Sequence, residues 1–401
     1  MAKSPTPDSP PVIRLKAQAH KRVAWGHPWV YSNEIEIDAA AKALPPGCVV
    51  RLATHDRRPL GTAIFNRLPL IAARILTTDP DATIDADFLE ARLARALAIR
   101  ERLYDQPYYR LIHAEADGLP GAIIDRFDTA LVLQVNTAGM DRLLPALLTA
   151  LDRVLAPETV LLRNDSTARR MEGLELHTTL AKGALDGPID VLENGARYLA
   201  DLTEGQKTGW FYDQRENRAA IGRFALGGRV LDGYCYSGGF AIQAALRGAT
   251  EVVAVDRSQA ALDLAEAAAA RNGVAGRCTF AKAEVFGHLQ RLAEAGERFD
   301  LVIVDPPAFV KSKRDRIQGA KGYRKLGRLA AQLVAPDGYL FAASCSHHVD
   351  VALFGEQIKR GLHDAGRRGR VLMTTGAAPD HPVHPALPES AYLKAQILAL
   401  D

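Results

Sequence analysis

The sequence predicts an α/β protein. A small β segment comes first, an α+β segment follows, and a doubly wound parallel sheet fills the C-terminal half. Three observations carry this expectation. Short apolar-alternating runs separated by turn residues fill the first segment. Helical and strand-like periodicities mix in the second. Strands alternate regularly with helices in the third, the pattern of a parallel sheet covered on both faces.

Each segment follows from its residues. In 12–76 the runs Val12-Ile13-Arg14-Leu15, Cys48-Val49-Val50-Arg51-Leu52, Leu60 to Phe65 and Leu70 to Ile75 are divided by Pro45-Pro46-Gly47 and Arg57-Arg58-Pro59. In 77–195 a helix is expected over Asp87 to Leu103, where Leu89, Leu93, Ala96 and Leu97 share a face. Strands fit Ala122-Ile123-Ile124, Ala130 to Val135 and Thr159 to Arg163, with a helix over Met140 to Leu155 between the last two. In 196–401 strands are expected at Arg229 to Asp232, Glu251 to Asp256, Phe299 to Asp305 and Gly338 to Ser344, with helices at Ala241 to Leu246 and Ala260 to Asn272.

The 401 residues suffice for two or three domains, and 48% hydrophobic with 24% charged residues is an ordinary globular balance. A net charge of +3 permits an acidic partner without requiring one. The four cysteines, Cys48, Cys235, Cys278 and Cys345, show neither a C-x-x-C pair nor a zinc spacing, so reduced thiols and no metal site are expected. His347 and His348 are adjacent, and adjacent strand residues point to opposite faces, which argues against a shared metal. The polar, proline-rich start lacks a signal-peptide core and no long apolar stretch occurs, so a cytoplasmic protein is expected.

Ligands of such sheets bind beyond the carboxyl ends of the strands. The first strand ends in Asp232-Gly233-Tyr234-Cys235-Tyr236-Ser237-Gly238-Gly239, a turn of small residues that lets backbone approach a ligand. The second ends in Asp256, placed to accept from a ribose diol. A dinucleotide site would share these features. However, Cys235 breaks the G-x-G-x-x-G pattern, and two segments precede the strand, so the methyl donor S-adenosylmethionine, which has no phosphate, is favoured. Glu284, after the expected third strand, fits an acceptor for an adenine amino group and equally an exposed helix start.

Asp305-Pro306-Pro307 ends the fourth strand in a stiff turn that holds a carboxylate or carbonyl at the pocket mouth. Cys345 ends the next strand, in Ser344-Cys345-Ser346. A thiolate adding to C6 of a pyrimidine makes C5 nucleophilic enough to take a methyl group, and a base then removes the C5 proton. A free thiol needs local help to ionise, and His347 or His348 could supply it only in an awkward geometry. Lys311, Lys313, Arg314 and Arg316 follow the proline turn, with Lys321, Arg324, Lys325 and Arg328 beyond. They read either as a solvated helix face or as an RNA-phosphate surface with Tyr323 stacking a base. His20, Lys21, Arg22, His27 and Trp29 form a second such set, in which Trp29 is expected in the core.

Several stretches together resemble the bacterial large-subunit ribosomal RNA cytosine-C5 methyltransferases of the RlmI type. They are Gly26-His27-Pro28-Trp29-Val30-Tyr31-Ser32-Asn33-Glu34-Ile35, Asp117-Gly118-Leu119-Pro120-Gly121, Arg163-Asn164-Asp165, Glu204 to Arg215, Asp305-Pro306-Pro307-Ala308-Phe309, Ser344-Cys345-Ser346 and Glu389-Ser390-Ala391-Tyr392-Leu393-Lys394. The resemblance covers nearly the whole chain from about Val12. It implies a class I, Rossmann-like methyltransferase domain preceded by a PUA domain and an α+β middle domain. It implies 23S rRNA or a large-subunit assembly intermediate as partner, and it suggests a homodimer. By resemblance Cys345 is the nucleophile and Asp305 interacts with the base. Gly233, Asp256 and Glu284 hold the cofactor, Gln206 and Arg215 lie close by, and Asp232, Ser237 and Gly238 belong to the same turn. The chain departs from the family where Asn-Cys is common at Asp232-Gly233 and Asp at Glu284; both changes keep those roles. Two other readings remain at this point. One is methylation of an exocyclic amine, for which Asp-Pro-Pro followed by an aromatic residue is used and no cysteine is needed. The other is a non-catalytic RNA-binding assembly factor.

Overall fold

A computed structural model describes residues 10–310 and 312–401. The chain forms two compact units: one runs up to Asp186 and includes Asp380–Ser390, and the other comprises Gly187–Pro379 and Ala391–Asp401.

The first unit holds two five-stranded sheets. The first has the spatial order Val12–Arg14, Cys48–Ala53, Pro59–Phe65, Ile71–Thr77, Trp29–Tyr31, and is antiparallel except where the first two strands meet. Ile13, Val30, Val50, Leu52, Ala63 and Phe65 fill its core. The second sheet runs His177–Lys182, Thr159–Asn164, Ala130–Val135, Ala122–Phe127, Tyr108–His113. The expected helices of the middle segment are there, at Ala86–Leu103 and Ala138–Leu155, capped by the side chains of Asp85 and Thr137. His177–Lys182 gave no signal in the sequence because every residue of this edge strand is exposed, so nothing forces apolar alternation.

The second unit opens with a hairpin, Ile189–Glu193 and Ala196–Ala200. Asn194 and Gly195 turn it with φ of 51° and 78°, as a two-residue hairpin loop requires. The expected segment boundary at 195 falls on this turn, and both strands lie in the second unit.

A seven-stranded sheet follows. Its elements are β1 (Arg229–Gly233), α1 (Gly239–Leu246), β2 (Glu251–Asp256), α2 (Gln259–Arg271), β3 (Cys278–Lys282), α3 (Val285–Glu294), β4 (Phe299–Val304), α4 (Arg316–Leu333), β5 (Val334–Ser344), α5 (Val351–Asp364), β6 (Gly369–Thr375) and β7 (Lys394–Leu400). The spatial order is β3-β2-β1-β4-β5-β7-β6. The first five are parallel, and β7 enters antiparallel between β5 and β6. Central strands are apolar throughout because helices cover both faces; Leu231, Val255, Val302, Val304 and Leu340 are fully enclosed. Chain direction around the sheet reverses between β1 and β4. A crevice opens there at the strand ends, where the glycine turn, the proline turn and Cys345 emerge.

Candidate active site

The turn after β1 winds tightly. Tyr234, Tyr236 and Gly238 adopt φ of 69°, 48° and 81°. A Cβ on Gly238 would lie 2.9 Å from the Ala265 side chain, so only glycine lets α1 start so close to α2. Beneath the turn, Asp232 Oδ2 accepts from the Ala241 backbone N–H at 3.0 Å. Asp232 Oδ1 and Ser237 Oγ are buried without a hydrogen-bond partner. Burial, reinforced by the negative charges of Asp305 and Asp256, pushes the Asp232 carboxyl up to about 8.

Asp256 accepts from the backbone N–H groups of Tyr236 (3.0 Å) and Ser258 (2.9 Å), which fix its carboxylate at the cleft wall. Glu284 accepts from Phe286 and Gly287 and so caps α3 while facing the cleft. Both readings offered for it by the sequence are therefore compatible with its position.

The cleft encloses about 490 Å³ and brings together Gln206, Asp256, Glu284, Asp305 and Cys345 of the expected residues. Asp232, Gly233, Ser237 and Gly238 are buried behind its wall and do not line it. Arg215 is corrected: it too is absent from the lining. Its side chain is buried against Glu193, with Nε 3.5 Å from Oε2, because that enclosed carboxylate gathers the nearby cations. Arg218, three residues on, holds the same carboxylate at 2.5 and 2.8 Å and does reach the cleft.

Several other lining residues were not among the expected site residues, and some of them tie the site together. Gln214 Nε2 donates to Asp305 Oδ2 at 2.8 Å, and its own amide oxygen accepts from Asn217 at 2.6 Å. Lys207 lies 3.8 Å from Asp213 and over the Phe211 ring at 4.6 Å. Tyr236 donates its hydroxyl to the Gly209 carbonyl and accepts from the Gln206 N–H, tying this segment to the glycine turn. The stretch Glu204 to Arg215 was visible as a motif and Arg218 lies beyond it; which side chains turn inward depends on contacts with Glu193 and Asp213.

Burial and the nearby Asp213 push the Asp305 carboxyl up to about 7; the Gln214 hydrogen bond, Lys207 and Arg218 oppose the rise. Burial and Asp305 also raise the Cys345 thiol, and Lys207 pulls it down. Its sulfur is 4.0 Å from the Pro306 carbonyl. His347 is exposed, with its ring centred 5.3 Å from that of Tyr392.

The expected RNA surface separates into parts. Lys313 and Arg314 are exposed at the entry to α4, while Lys311 lies outside the described residues. Lys325 is exposed with Nζ 5.0 Å from the Phe286 ring, which lines the cleft. Arg324 is paired with Asp364 at 2.6 and 2.7 Å. Tyr323 is a correction: it is fully buried, and its hydroxyl meets Ser344 and Ser346 at 2.8 Å, so it cannot stack a base. In the N-terminal set Arg22 Nη2 donates to both carboxylate oxygens of Glu34, and Trp29 is half-buried with Nε1 donating to Glu115 at 2.8 Å.

The sheet order, the two acidic strand ends and the cleft at the reversal point define an S-adenosylmethionine-dependent methyltransferase. The residues fit that donor. It carries a sulfonium and an ammonium, one carboxylate and no phosphate; the cleft presents Asp256, Glu284 and Asp305, and just behind its wall Asp232 Oδ1 and Ser237 Oγ are buried without a hydrogen-bond partner. A family model described as S-adenosylmethionine-dependent methyltransferase matches residues 168–394, and one described as a PUA-like domain matches 13–78.

The chain belongs to the ribosomal RNA large subunit methyltransferase I family. It is 37% identical over 390 residues to the protein of that name from Shewanella amazonensis, covering 96% of this chain and 98% of the other. It is 38% identical over 393 residues to the one from Aeromonas salmonicida, with the same coverage. Among solved structures, a methyltransferase complexed with SAH shares the fold over 97% of this chain and 100% of its own, with a TM-score of 0.83 at 20% identity.

Proposed function

We propose that the protein methylates C5 of a cytosine in 23S ribosomal RNA through a transient adduct to Cys345. One observation carries this reading: Cys345 and Asp305 line the same cleft as Asp256, Glu284 and the glycine-turn residues Tyr234 and Tyr236. A thiol buried in packed hydrocarbon could not act on a base; this one is partly open to the cleft.

S-adenosylmethionine, when bound, supplies an electrophilic methyl group. Asp256 and Glu284 would hold its ribose and adenine by accepting hydrogen bonds, and the Asp232–Gly238 turn would face its amino-acid portion. The Cys345 thiolate adds to C6 of the base, which places electron density on C5. Asp305, poised to gain or lose its proton near neutrality, hydrogen-bonds to the ring and stabilises the charge that develops there. After C5 has taken the methyl group, its proton leaves to a base and the C6–sulfur bond breaks, restoring the thiolate. Lys207 is the cleft cation that favours the thiolate over the thiol. Gln214 keeps the Asp305 carboxyl oriented. Lys313, Arg314 and Lys325 would meet RNA phosphates beside the cleft.

The test is nucleoside mass mapping of 23S rRNA from cells lacking this protein, complemented with the wild type or with Cys345→Ala. One cytosine loses its C5 methyl group and regains it only with the wild type. Restoration by Cys345→Ala overturns the adduct and favours an exocyclic-amine product; an unaltered methylation map supports a non-catalytic role.

A further inference from the structure

The backbone on either side of Cys345 is held by buried groups. Its two neighbours are held from below: Ser344 and Ser346 share the buried hydroxyl of Tyr323, and Ser346 Oγ also accepts from the Val310 backbone N–H at 3.2 Å. From the side comes Lys394. It is the register partner of Ser344 across β5 and β7 and is 3% exposed. Its Nζ donates to the carbonyl of Ser346 at 2.5 Å and to that of Tyr392 at 2.8 Å.

Burying an ammonium is costly, and a lysine that served packing alone would be replaced at no loss by an apolar chain. Among the described residues no carboxylate lies within ion-pair distance of Lys394. The negative groups that act on it are Cys345 and Asp350, against the burial that pulls it down to about 8. Cys345 in turn faces Asp305 beyond β4, and Asp213 and Lys207 from the stretch before β1.

We propose that Lys394 is the positioning residue of the nucleophile: it clips the carbonyl that follows Cys345 to the start of β7 and sets a buried positive charge behind the thiol. This rests on Cys345 acting as nucleophile. Lys394 does not touch the base; it holds the sulfur's backbone and shifts its protonation.

The test needs neither RNA nor methyl donor. Iodoacetamide alkylation of Cys345 in the full-length protein is followed by peptide mass spectrometry across pH 6–10, which separates it from Cys48, Cys235 and Cys278. Lys394 titrates below the thiol, so its charge acts where it is still protonated: Lys394→Met is expected to slow alkylation several-fold below pH 8, and Lys394→Arg to return most of that rate. An unchanged rate below pH 8 in the methionine variant, or an equal loss in the arginine variant, overturns the proposal. Should the methionine variant not fold, the reciprocal measurement uses the wild type: coupling is mutual, so the ¹³Cε resonance of Lys394 must titrate at lower pH once Cys345 is alkylated. An identical titration before and after alkylation also overturns it. A Cys345→Ala protein that still methylates RNA defeats the adduct reading while leaving the thiol titration as measured, so the two failures are distinguishable.

Discussion

Replacing Asp305 by asparagine is expected to stabilise the protein above neutral pH while removing its activity on RNA. The carboxyl sits at about 7 rather than at its usual 3.8. Unfolding frees it, so between pH 4 and 7 the unfolded chain binds fewer protons than the folded one. Stability from this group is therefore complete below pH 4, falls as pH rises towards 7, and is level above. At about 1.4 kcal/mol per pH unit, a gap of roughly three units sets a ceiling of ~4 kcal/mol. Water reaching the cleft side of the carboxyl, and the charge it shares with Asp213, reduce this to ~1–2 kcal/mol. Asparagine keeps an oxygen for the Gln214 amide and has no charge to desolvate. Thermal denaturation of both proteins across pH 5–9 should give melting temperatures that differ little at pH 5 and by a few degrees, in favour of the variant, from pH 7.5 upwards. A difference that is the same at pH 5 and pH 8, or that favours the wild type at high pH, would falsify the assignment of a raised pKa to Asp305.

Two further outcomes follow from the same groups. Binding of S-adenosylmethionine brings positive charge to a cleft bordered by Asp232 at about 8 and Asp305 at about 7, so binding should release protons at pH 7–7.5. Calorimetric titration in buffers of different ionisation enthalpy measures this, and a binding enthalpy independent of buffer contradicts it. Tyr323→Phe removes the hydroxyl that Ser344 and Ser346 share and leaves both side chains short of a buried partner, at a cost of about 1–3 kcal/mol in urea unfolding. A variant as stable as the wild type would show that the serines find other partners.

The sheet was readable because its central strands are covered on both faces. Glu251–Asp256 and Phe299–Val304 are largely apolar runs, closed by Asp256 and followed by Asp305, and the strand ends are where ligands bind. Cys345 and Asp305 were readable for the same reason: each follows a strand that had already been located. Side chains that enter the cleft from a distance were not. Gln214 reaches Asp305 across 91 positions of sequence, a pairing no local periodicity encodes. Arg215 and Arg218 stand three places apart on one short helix and both meet Glu193, yet of the two Arg218 reaches the cleft, a difference that the local sequence does not encode. Tyr323 was misplaced because it stands among Lys321, Arg324 and Lys325. The charges occupy the open side of α4, and the tyrosine lies on the side that packs beneath Ser344 and Ser346.

The proposed adduct can be tested for directly. An RNA fragment carrying 5-fluorocytidine at the target position has no C5 proton to lose, so after methyl transfer the elimination stalls and the sulfur stays bonded to C6. Incubated with protein and S-adenosylmethionine, it should yield one RNA–peptide species whose mass includes a methyl group and whose attachment point is Cys345. Absence of that species, with the corresponding unfluorinated RNA still methylated at normal rate, would contradict the account.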